Sequence, residues 1–334
     1  MQGKNIKRNI GDKIKAWAAS VSDEKVQNAI LDNVIVTGGA IVSLLQGEVP
    51  RDYDVYFRNQ ESLKIVAEHY INKFIEKAGD EGQYNPTLQR CFWNEDERKW
   101  TVLNSSESKE DERLRIFIKS QGACGIEDES FSQSDMEYKR ELAKLNERIK
   151  GSRKDQKEPQ KHDPYSPVFF TNNAITLSDG VQIVIRFYGE PDEVHKNYDF
   201  VHCCSYYTSW DKNLVLPSRA LEAIINKELY YIGSKYPLCS IIRTRKFINR
   251  GWNINAGQYV KMALQLNELD LKNLHVFEEQ LIGVDSAYFT TLINNIEQMK
   301  KNDPNFSMDS GYLINLINDV FDEGYTPDGA TSVE

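Results

Sequence analysis

The feature that most constrains this chain is a pair of glycines followed, after an apolar run, by two aspartates one residue apart. The segment Thr37-Gly38-Gly39-Ala40 leads into the apolar run, and Asp52-Tyr53-Asp54 comes soon afterwards. The β-branched stretch Val34-Ile35-Val36 precedes the glycines, so the pattern predicts a strand, a turn, a helix and a second strand. Helical spacing over residues 5–30 and 61–77 extends this order to a compact α-β-α-β-α unit.

The two halves of this motif suit one kind of chemistry. Side chains alternate along a strand, so Asp52 and Asp54 are predicted to share a face. Two carboxylates that close repel each other unless a cation lies between them, and Mg²⁺ prefers such oxygen ligands. Gly38 and Gly39 have no Cβ, so a phosphate can approach the backbone where the next helix offers free N–H groups. Nucleotidyl transfer requires this combination, although each half alone also fits a tight turn or a solvated strand edge.

Composition changes sharply after the motif. Residues 81–164 are rich in charged and polar residues, which predicts an inserted, partly mobile arm. Within it, the pattern predicts a charged helix at 136–150 and a solvated tether at 151–161. Only residues 114–118 have the pattern of a strand.

Regular patterns return near residue 165. Strand patterns occur at 167–170, 174–177 and 181–188, and a Ser-Asp-Gly turn at 178–180 predicts that the last two form a hairpin. The C-terminal part is predicted to be mostly helical. The helical segments are 218–227, 237–249, 256–267, 273–281, 286–300 and 310–321.

Charge and cysteine content narrow the class of protein. Lys and Arg number 41 against 50 Asp and Glu, which gives a net charge of −9. This acidic average argues against a histone-like coat of nucleic acid, although a local basic channel is compatible with it. The sequence predicts no membrane span and no secretory signal. Five scattered cysteines favour a reducing, cytoplasmic setting without a disulfide scaffold or zinc ribbon.

Three segments resemble one enzyme superfamily. Residues 36–55 resemble the glycine and DxD segments of nucleotidyltransferases, in the branch of the class II CCA-adding tRNA nucleotidyltransferases and bacterial poly(A) polymerases. Asn197–His202 is similar to that branch's RRDFTIN segment, and Tyr236–Trp252 is similar to its neck motif. The segments occur in the branch's order and cover roughly residues 30–75 and 165–255. The chain resembles a divergent member of this branch. One interpretation is that it is of viral origin.

The resemblance implies an α+β fold with a mixed sheet, flanking helices, a charged insertion and a helical C-terminal part. It places a nucleotidyltransferase-like head at 1–80 and 165–235, the insertion at 81–164 and a helical neck and body at 236–334. It also implies Mg²⁺- or Mn²⁺-dependent transfer of NMP from an NTP to a hydroxyl, with an RNA or tRNA 3′ end as the first acceptor. No membrane partner is expected, and the oligomeric state stays open.

Site residues follow from the motifs and the resemblance together. Asp52 and Asp54 are the predicted catalytic and metal-binding residues, and Gln182 occupies a third metal position. The predicted nucleotide-binding residues are Gly38, Gly39, Ser43, Asp199, Arg243 and Lys246. Arg243 and Lys246, with Arg250, line one side of a predicted helix, which is also the pattern of an ordinary solvated helix face.

Departures from the family pattern leave alternatives open. The family's Arg-Asp after the glycines is Val42-Ser43 here, and Gln182 replaces a carboxylate, so a second metal ion would be held more weakly. These departures argue against templated CCA addition more than against nucleotidyl transfer. The alternatives are an inactive binding or structural protein, a protein-modifying (AMPylating-type) enzyme, and a toxin-like member.

Other reactive side chains received plainer interpretations. The run 200–206, which contains His202, is predicted to be a half-buried strand, and His195 is assigned no role. Tyr206, Tyr207 and Trp210 can stack a base, but core packing is the commoner use of such residues. Asp192 and Glu193 are candidates for the missing carboxylate.

Overall fold

The chain forms two compact units, Met1–Tyr230 and Tyr231–Glu334. The structure, a computed structural model, describes residues 3–78, 84–94, 99–104, 106–109, 112–120, 163–171, 173–280, 296, 299, 302, 309 and 311–315. The predicted helix at 136–150, the tether at 151–161 and most of the predicted helices at 286–300 and 310–321 lie outside these residues.

The first unit is built on a mixed seven-stranded sheet, as predicted. Its strands are β1 (Val34–Thr37), β2 (Tyr53–Phe57), β6 (Pro167–Phe170), β7 (Ala174–Leu177), β8 (Val181–Val184), β9 (Tyr206–Thr208) and β10 (Asn213–Val215). They lie in the order β10-β9-β1-β2-β8-β7-β6. The β2 and β8 strands run parallel, whereas the other neighbours are antiparallel. The predicted hairpin of β7 and β8 is confirmed.

Helices of the first unit flank this sheet. They are α1 (Gly3–Ala19), α2 (Glu24–Asn33), α3 (Gly39–Gln46), α4 (Gln60–Ala78), α5 (Pro191–His195) and α6 (Ser218–Asn226). The prediction of a single helix over 5–30 is wrong, because residues 20–23 are not helical and separate α1 from α2. The Asp23 carboxylate caps α2 by accepting from the backbone N–H groups of Lys25 and Val26, and this cap starts a new helix.

One face of the sheet packs against the helices to form the main core. Alternate residues of β1 and β2, such as Val36 and Val55, join Ile10 and Trp17 of α1 in one buried cluster. The indole Nε1 of Trp17 donates to the hydroxyl of Tyr70 on α4 at 2.7 Å, so these two buried polar groups satisfy each other. This burial is the main source of stability for the strand-turn-helix segment.

The opposite face of the sheet is only partly covered. Ile35 of β1 and Tyr56 of β2 form a small buried cluster with Val194 of the short helix α5. Half-buried side chains around it include Val184, Phe187, Tyr198, Tyr206 and Trp210. Three polar side chains on the same face, those of Asp54, Thr176 and Gln182, are only half-buried.

A second sheet lies within the charged stretch, where only one strand was predicted. It contains β3 (Tyr84–Asn94), β4 (Lys99–Val102) and β5 (Arg113–Ser120), in the order β4-β3-β5. Leu114 and Ile116 of β5 enter the main core from one face. On the other face the Arg113 guanidinium lies 4.1 Å from the centre of the Trp100 ring. The assignment of residues 81–164 to a separate inserted arm stays a prediction.

The strand predicted over 200–206 is also wrong. Residues Val201–Cys203 form a 3₁₀ turn, and the strand begins only at Tyr206. The alternation of apolar residues there comes from a turn that buries Phe200 and His202.

The second unit is helical in its described part. Its helices are α7 (Pro237–Ile248), α8 (Ala256–Leu266) and α9 (Leu274–Gln280), near the predicted bounds. The Tyr259 hydroxyl donates to Thr244 Oγ1 at 3.1 Å and links α8 to α7. Among the residues that the structure describes, no helix has both the length and the apolar character to cross a membrane.

Candidate functional site

Strand register brings five polar side chains into one row across the partly covered face of the sheet. Tyr206 of β9 pairs with Thr37 of β1, and the β1–β2 register, continued by one residue, places Thr37 opposite Asp54. Asp54 pairs with Gln182 of β8, which pairs with Thr176 of β7. Paired residues project from the same face of a sheet, so the five side chains are neighbours.

A glycine turn follows Thr37, beside the middle of this row. Gly38 has φ 78° and ψ −141°, a conformation that is essentially restricted to glycine, and α3 begins at the next residue. The N–H of Gly38 donates to the carbonyl of Cys203 at 3.2 Å, which fixes the turn against the segment before β9. The start of α3, with its free N–H groups, therefore follows directly on the part of the row that holds Thr37 and Asp54.

Thr37 is the anchor of the turn. Its side chain is fully buried, and its Oγ1 lies 2.9 Å from the carbonyl of Ser205 and 2.9 Å from Nε2 of His195. The hydroxyl has one proton, so if it donates to Ser205 it accepts from an Nε2–H of His195. This arrangement favours a His195 ring with a proton on Nε2.

Sequence reasoning missed His195, which was assigned no role. Its ring lies between those of Tyr198 and Tyr206, at centroid distances of 5.0 and 5.5 Å. Burial lowers the pKa of His195 to about 4, although Asp192 acts in the opposite direction. No local pattern could have revealed this contact, because Thr37 and His195 are 158 residues apart in the sequence.

Tyr198 is the second residue that the sequence analysis overlooked. A Cβ built on Gly38 would lie 3.4 Å from the Tyr198 hydroxyl and 3.8 Å from Oδ2 of Asp54. Burial raises the pKa of Tyr198 well above its usual range, and Tyr56 and the carboxylate of Asp54 act in the same direction. The hydroxyl of Tyr198 is therefore protonated and stands beside the glycine turn and Asp54.

The predicted residues of the motif lie in the same neighbourhood. Asp54 is half-buried in β2, whereas Asp52 is exposed and directly precedes the strand. Gly39 has open space around it, because a Cβ there would meet nothing within 4 Å. Ser43 is half-buried on α3, one turn after Gly39.

The turn between β7 and β8 braces the segment before β2. Gly180 has φ 69°, and a Cβ there would lie 2.8 Å from the carbonyl oxygen of Arg51. The preceding residue, Asp179, also has a positive φ, and its backbone carbonyl accepts from the ammonium of Lys13 on α1. The backbone that carries Asp52 is thus pressed against a turn that requires glycine.

The remaining predicted residues belong to other elements of the chain. Asp199 is 6% exposed and faces His202 and Cys204. Burial lowers the pKa of His202 to about 4 and raises that of Cys204 to about 11, with Asp199 favouring the protonated form of each. Arg243 and Lys246 lie on α7, in the second unit.

Aromatic and acidic side chains near the row have structural partners. Tyr207 is buried in the main core, so the core interpretation of this residue is confirmed. The Arg58 guanidinium lies 4.5 Å from the centre of the Trp210 ring and donates to Glu190 at 2.9 Å. Glu193 accepts from the ammonium of Lys196 at 2.6 Å.

The oxygen atoms at the row suit a divalent cation. Asp54 lies in the row and Asp52 directly precedes the same strand, while Nε2 of Gln182 donates to Thr176 at 3.4 Å and leaves Oε1 as the acceptor of this side chain. Within the described ranges, no group of three or more His, Cys, Asp or Glu side chains is able to hold a metal ion. The donor set is therefore two carboxylates and one neutral amide, which fits Mg²⁺ with water and phosphate as its remaining ligands.

The two buried histidines predict a loss of stability in mild acid. The pKa values of His195 and His202 are about 4 in the folded protein, against about 6.5 in an unfolded chain. Between these values only the unfolded chain takes up the two protons, so stability is complete above pH 6.5 and falls towards pH 4. The slope is at most about 2.7 kcal/mol per pH unit.

Urea unfolding at a series of pH values measures this slope. We expect His202→Gln to reduce it, with Glu228→Gln as a control on the same unit. An equal slope in wild type and in a variant with both histidines replaced would contradict the prediction.

This chain matches one protein-family model and several solved structures. A family model described as Gad2, Gabija anti-defense 2 family protein, matches residues 8–227. No curated protein matches the chain.

Two of the solved structures that match are CCA-adding enzymes. One, from Thermotoga maritima and complexed with tRNA, has 11% identity and a TM-score of 0.33, and the match covers 91% of this chain and 59% of that chain. Another, complexed with CTP, has 12% identity and a TM-score of 0.37, with 98% and 64% covered. The chain is similar to both at low identity, and it spans less than two thirds of the length of either enzyme.

Proposed function

Because the chain belongs to the Gabija anti-defense 2 family, we propose that it counteracts the Gabija defense and that it does so as a metal-dependent nucleotidyltransferase. The observation that supports this most strongly is the pairing of Asp54 with Gln182 beside the glycine turn, with Asp52 directly before the same strand. Carboxylates next to accessible backbone N–H groups form a site for a cation and a phosphate chain together.

The proposed reaction transfers an NMP from an NTP to a hydroxyl. The acceptor oxygen bonds to the α-phosphorus, pyrophosphate leaves, and the hydroxyl proton is released. Asp52, Asp54 and Oε1 of Gln182 would hold Mg²⁺ or Mn²⁺, which supplies charge neutralisation for the triphosphate. The N–H groups at the start of α3 would bind phosphate oxygens at Gly39, where the structure leaves open space, and Ser43 would add a hydroxyl.

The remaining predicted residues have supporting roles in this proposal. Arg243 and Lys246 are separated by one turn of α7 and would contact phosphates or an RNA backbone. Asp199 is buried beside His202, so it would hold the segment that carries His195 and Tyr198 rather than touch the nucleotide. An RNA 3′ end is the first acceptor in this proposal. A protein hydroxyl is the second, and the net charge of −9 favours this second acceptor.

A second function is favoured by two particular residues. Gln182 stands where the resembled family has a carboxylate, and the Tyr198 hydroxyl covers one side of Gly38. Both features would suit a protein that binds a partner through this fold without turnover.

Label transfer separates the two functions. The protein is incubated with each α-³²P-labelled NTP, Mg²⁺ or Mn²⁺, and either total RNA or extract from cells that carry the defense. Nucleotidyl transfer predicts label in one acceptor class, from at least one NTP and only with metal. Absence of label under all conditions, with wild-type folding intact, would favour the binding function.

Adjacent glycines of the turn offer a matched pair of substitutions. Gly39→Ala should leave the free energy of unfolding nearly unchanged, because nothing lies within 4 Å of the added methyl group. The methyl group would occupy the proposed phosphate position, so we expect nucleotide affinity to fall by about tenfold. Gly38→Ala should cost about 1–3 kcal/mol of stability, because its φ is 78°.

Urea unfolding and calorimetric titration with the Mg²⁺ complex of an NTP analogue measure both effects. Unchanged nucleotide affinity in a folded Gly39→Ala protein would show that phosphates do not lie at this turn.

A further inference from the structure

The two glycines of the turn differ in how accessible they are. The space that a Cβ would fill is open at Gly39 but closed at Gly38, where the Tyr198 hydroxyl lies 3.4 Å from the built position and Oδ2 of Asp54 lies 3.8 Å away. A phosphate lying along both glycines would need space that this hydroxyl now occupies. Only half of the cradle is therefore available in the nucleotide-free protein.

Several contacts hold Tyr198 in this position. Its hydroxyl interacts with the side chains of Tyr56 and Thr37. Its ring packs against those of Tyr56 and His195, at centroid distances of 6.2 and 5.0 Å. These partners are fixed in the sheet or in α5, so the contact is specific and does not arise from a loosely placed side chain.

Tyr198 nevertheless has a route away from the site. Tyr198 is half-buried and comes directly after the turn at residues 196–197 that ends α5. The next two residues, Asp199 and Phe200, are buried. A rotation about its side-chain bonds would release the hydroxyl from Gly38 without unfolding the buried segment that follows.

We propose that Tyr198 occupies the Gly38 half of the phosphate subsite and that an NTP fills this half only by displacing the Tyr198 hydroxyl. This inference rests on the proposed function. Each binding event then breaks the contacts of the Tyr198 hydroxyl with Thr37 and Tyr56. The free energy of these lost contacts lowers the affinity for the NTP. Tyr198 thereby sets how tightly the phosphate chain is held.

Removing only the hydroxyl tests the proposal, because it changes stability and affinity in opposite directions. Tyr198→Phe loses contacts in the free protein, so its free energy of unfolding should fall. The same substitution clears the subsite, so we expect the α,β-methylene analogues of the NTPs, with Mg²⁺, to bind about fivefold more tightly. That change corresponds to about 1 kcal/mol. A merely structural role would lower stability without raising affinity.

Two further variants make the test specific. Tyr56→Phe removes a partner of the Tyr198 hydroxyl but leaves Tyr198 itself intact, so we expect a smaller gain in affinity. Tyr70→Phe is the matched control, because it removes a buried, hydrogen-bonded hydroxyl from the main core without clearing Gly38. Its nucleotide affinity should equal that of the wild type.

Calorimetric titration of all four proteins gives distinguishable results. Unchanged affinity in Tyr198→Phe would overturn the proposal while leaving nucleotidyl transfer standing. Weaker binding would overturn it as well, and would instead make Tyr198 a donor to the phosphates. If neither wild type nor Tyr198→Phe binds any analogue, the proposed function itself fails.

Discussion

Replacing Asp52 and Asp54 together with asparagine is expected to lower nucleotidyl transfer by about 10³-fold or more. Asparagine keeps the shape of each side chain but removes both negative charges that would hold the metal ion. Charge stabilisation that is built into a site commonly contributes factors of this size to the rate. The measurement is the initial rate of label transfer from the preferred α-³²P-labelled NTP under saturating Mg²⁺.

The double variant should remain folded. Asp52 is exposed and Asp54 half-buried, and removing two like charges that lie close together relieves repulsion. We expect its urea midpoint to match that of the wild type. Glu61→Gln, which removes an exposed acid on α4, serves as the control and should retain full activity. Wild-type rates in the double variant would exclude these aspartates from the chemistry, and loss of folding would mark them as structural.

The largest stability effect is expected from Gly180→Ala. The substitution places a Cβ 2.8 Å from the carbonyl oxygen of Arg51 in a residue whose φ is 69°. Both atoms in this contact belong to the backbone or are fixed to it, so the turn or the segment before β2 must shift. Strain and overpacking together should cost about 2–5 kcal/mol, as measured by urea unfolding.

Gly47→Ala separates the two causes of this loss. Gly47 ends α3 with φ 81°, but a Cβ there would meet nothing within 4 Å. It therefore reports the backbone strain without the collision, and we expect a loss of only about 1 kcal/mol. Equal losses in the two variants would show that the contact with Arg51 carries no energy. Because Asp52 follows Arg51, Gly180→Ala should also weaken metal binding more than Gly47→Ala does.

Local sequence patterns predicted the parts of the fold that local forces determine. The glycine turn before α3 and the hairpin at Gly180 were predicted correctly because only glycine adopts those backbone angles readily. The helices α7, α8 and α9 were placed nearly to the residue, since apolar periodicity is strong there. The pairing of β2 with β8 could be expected only through the resemblance.

Long-range contacts account for what the sequence could not predict. His195 and Tyr198 reach the glycine turn because α5 packs on the second face of the sheet, and nothing in residues 191–198 indicates that contact. The strand β3 was missed because each of its faces carries both polar and apolar residues, and β4 because four residues give too short an alternation. The segment Val201–Cys203 was predicted as a strand but forms a 3₁₀ turn. The error arose because apolar residues alternate along this segment as they do in a half-buried strand.

Binding of Mn²⁺ with a non-reactive nucleotide tests the central claim most directly. Electron paramagnetic resonance of Mn²⁺ is recorded with an α,β-methylene NTP and either wild-type protein or the Asp52→Asn/Asp54→Asn variant. The account predicts a bound Mn²⁺ signal that requires both nucleotide and wild-type protein and is lost in the variant. Equal Mn²⁺ binding by the two proteins, in the presence of the nucleotide, would contradict it.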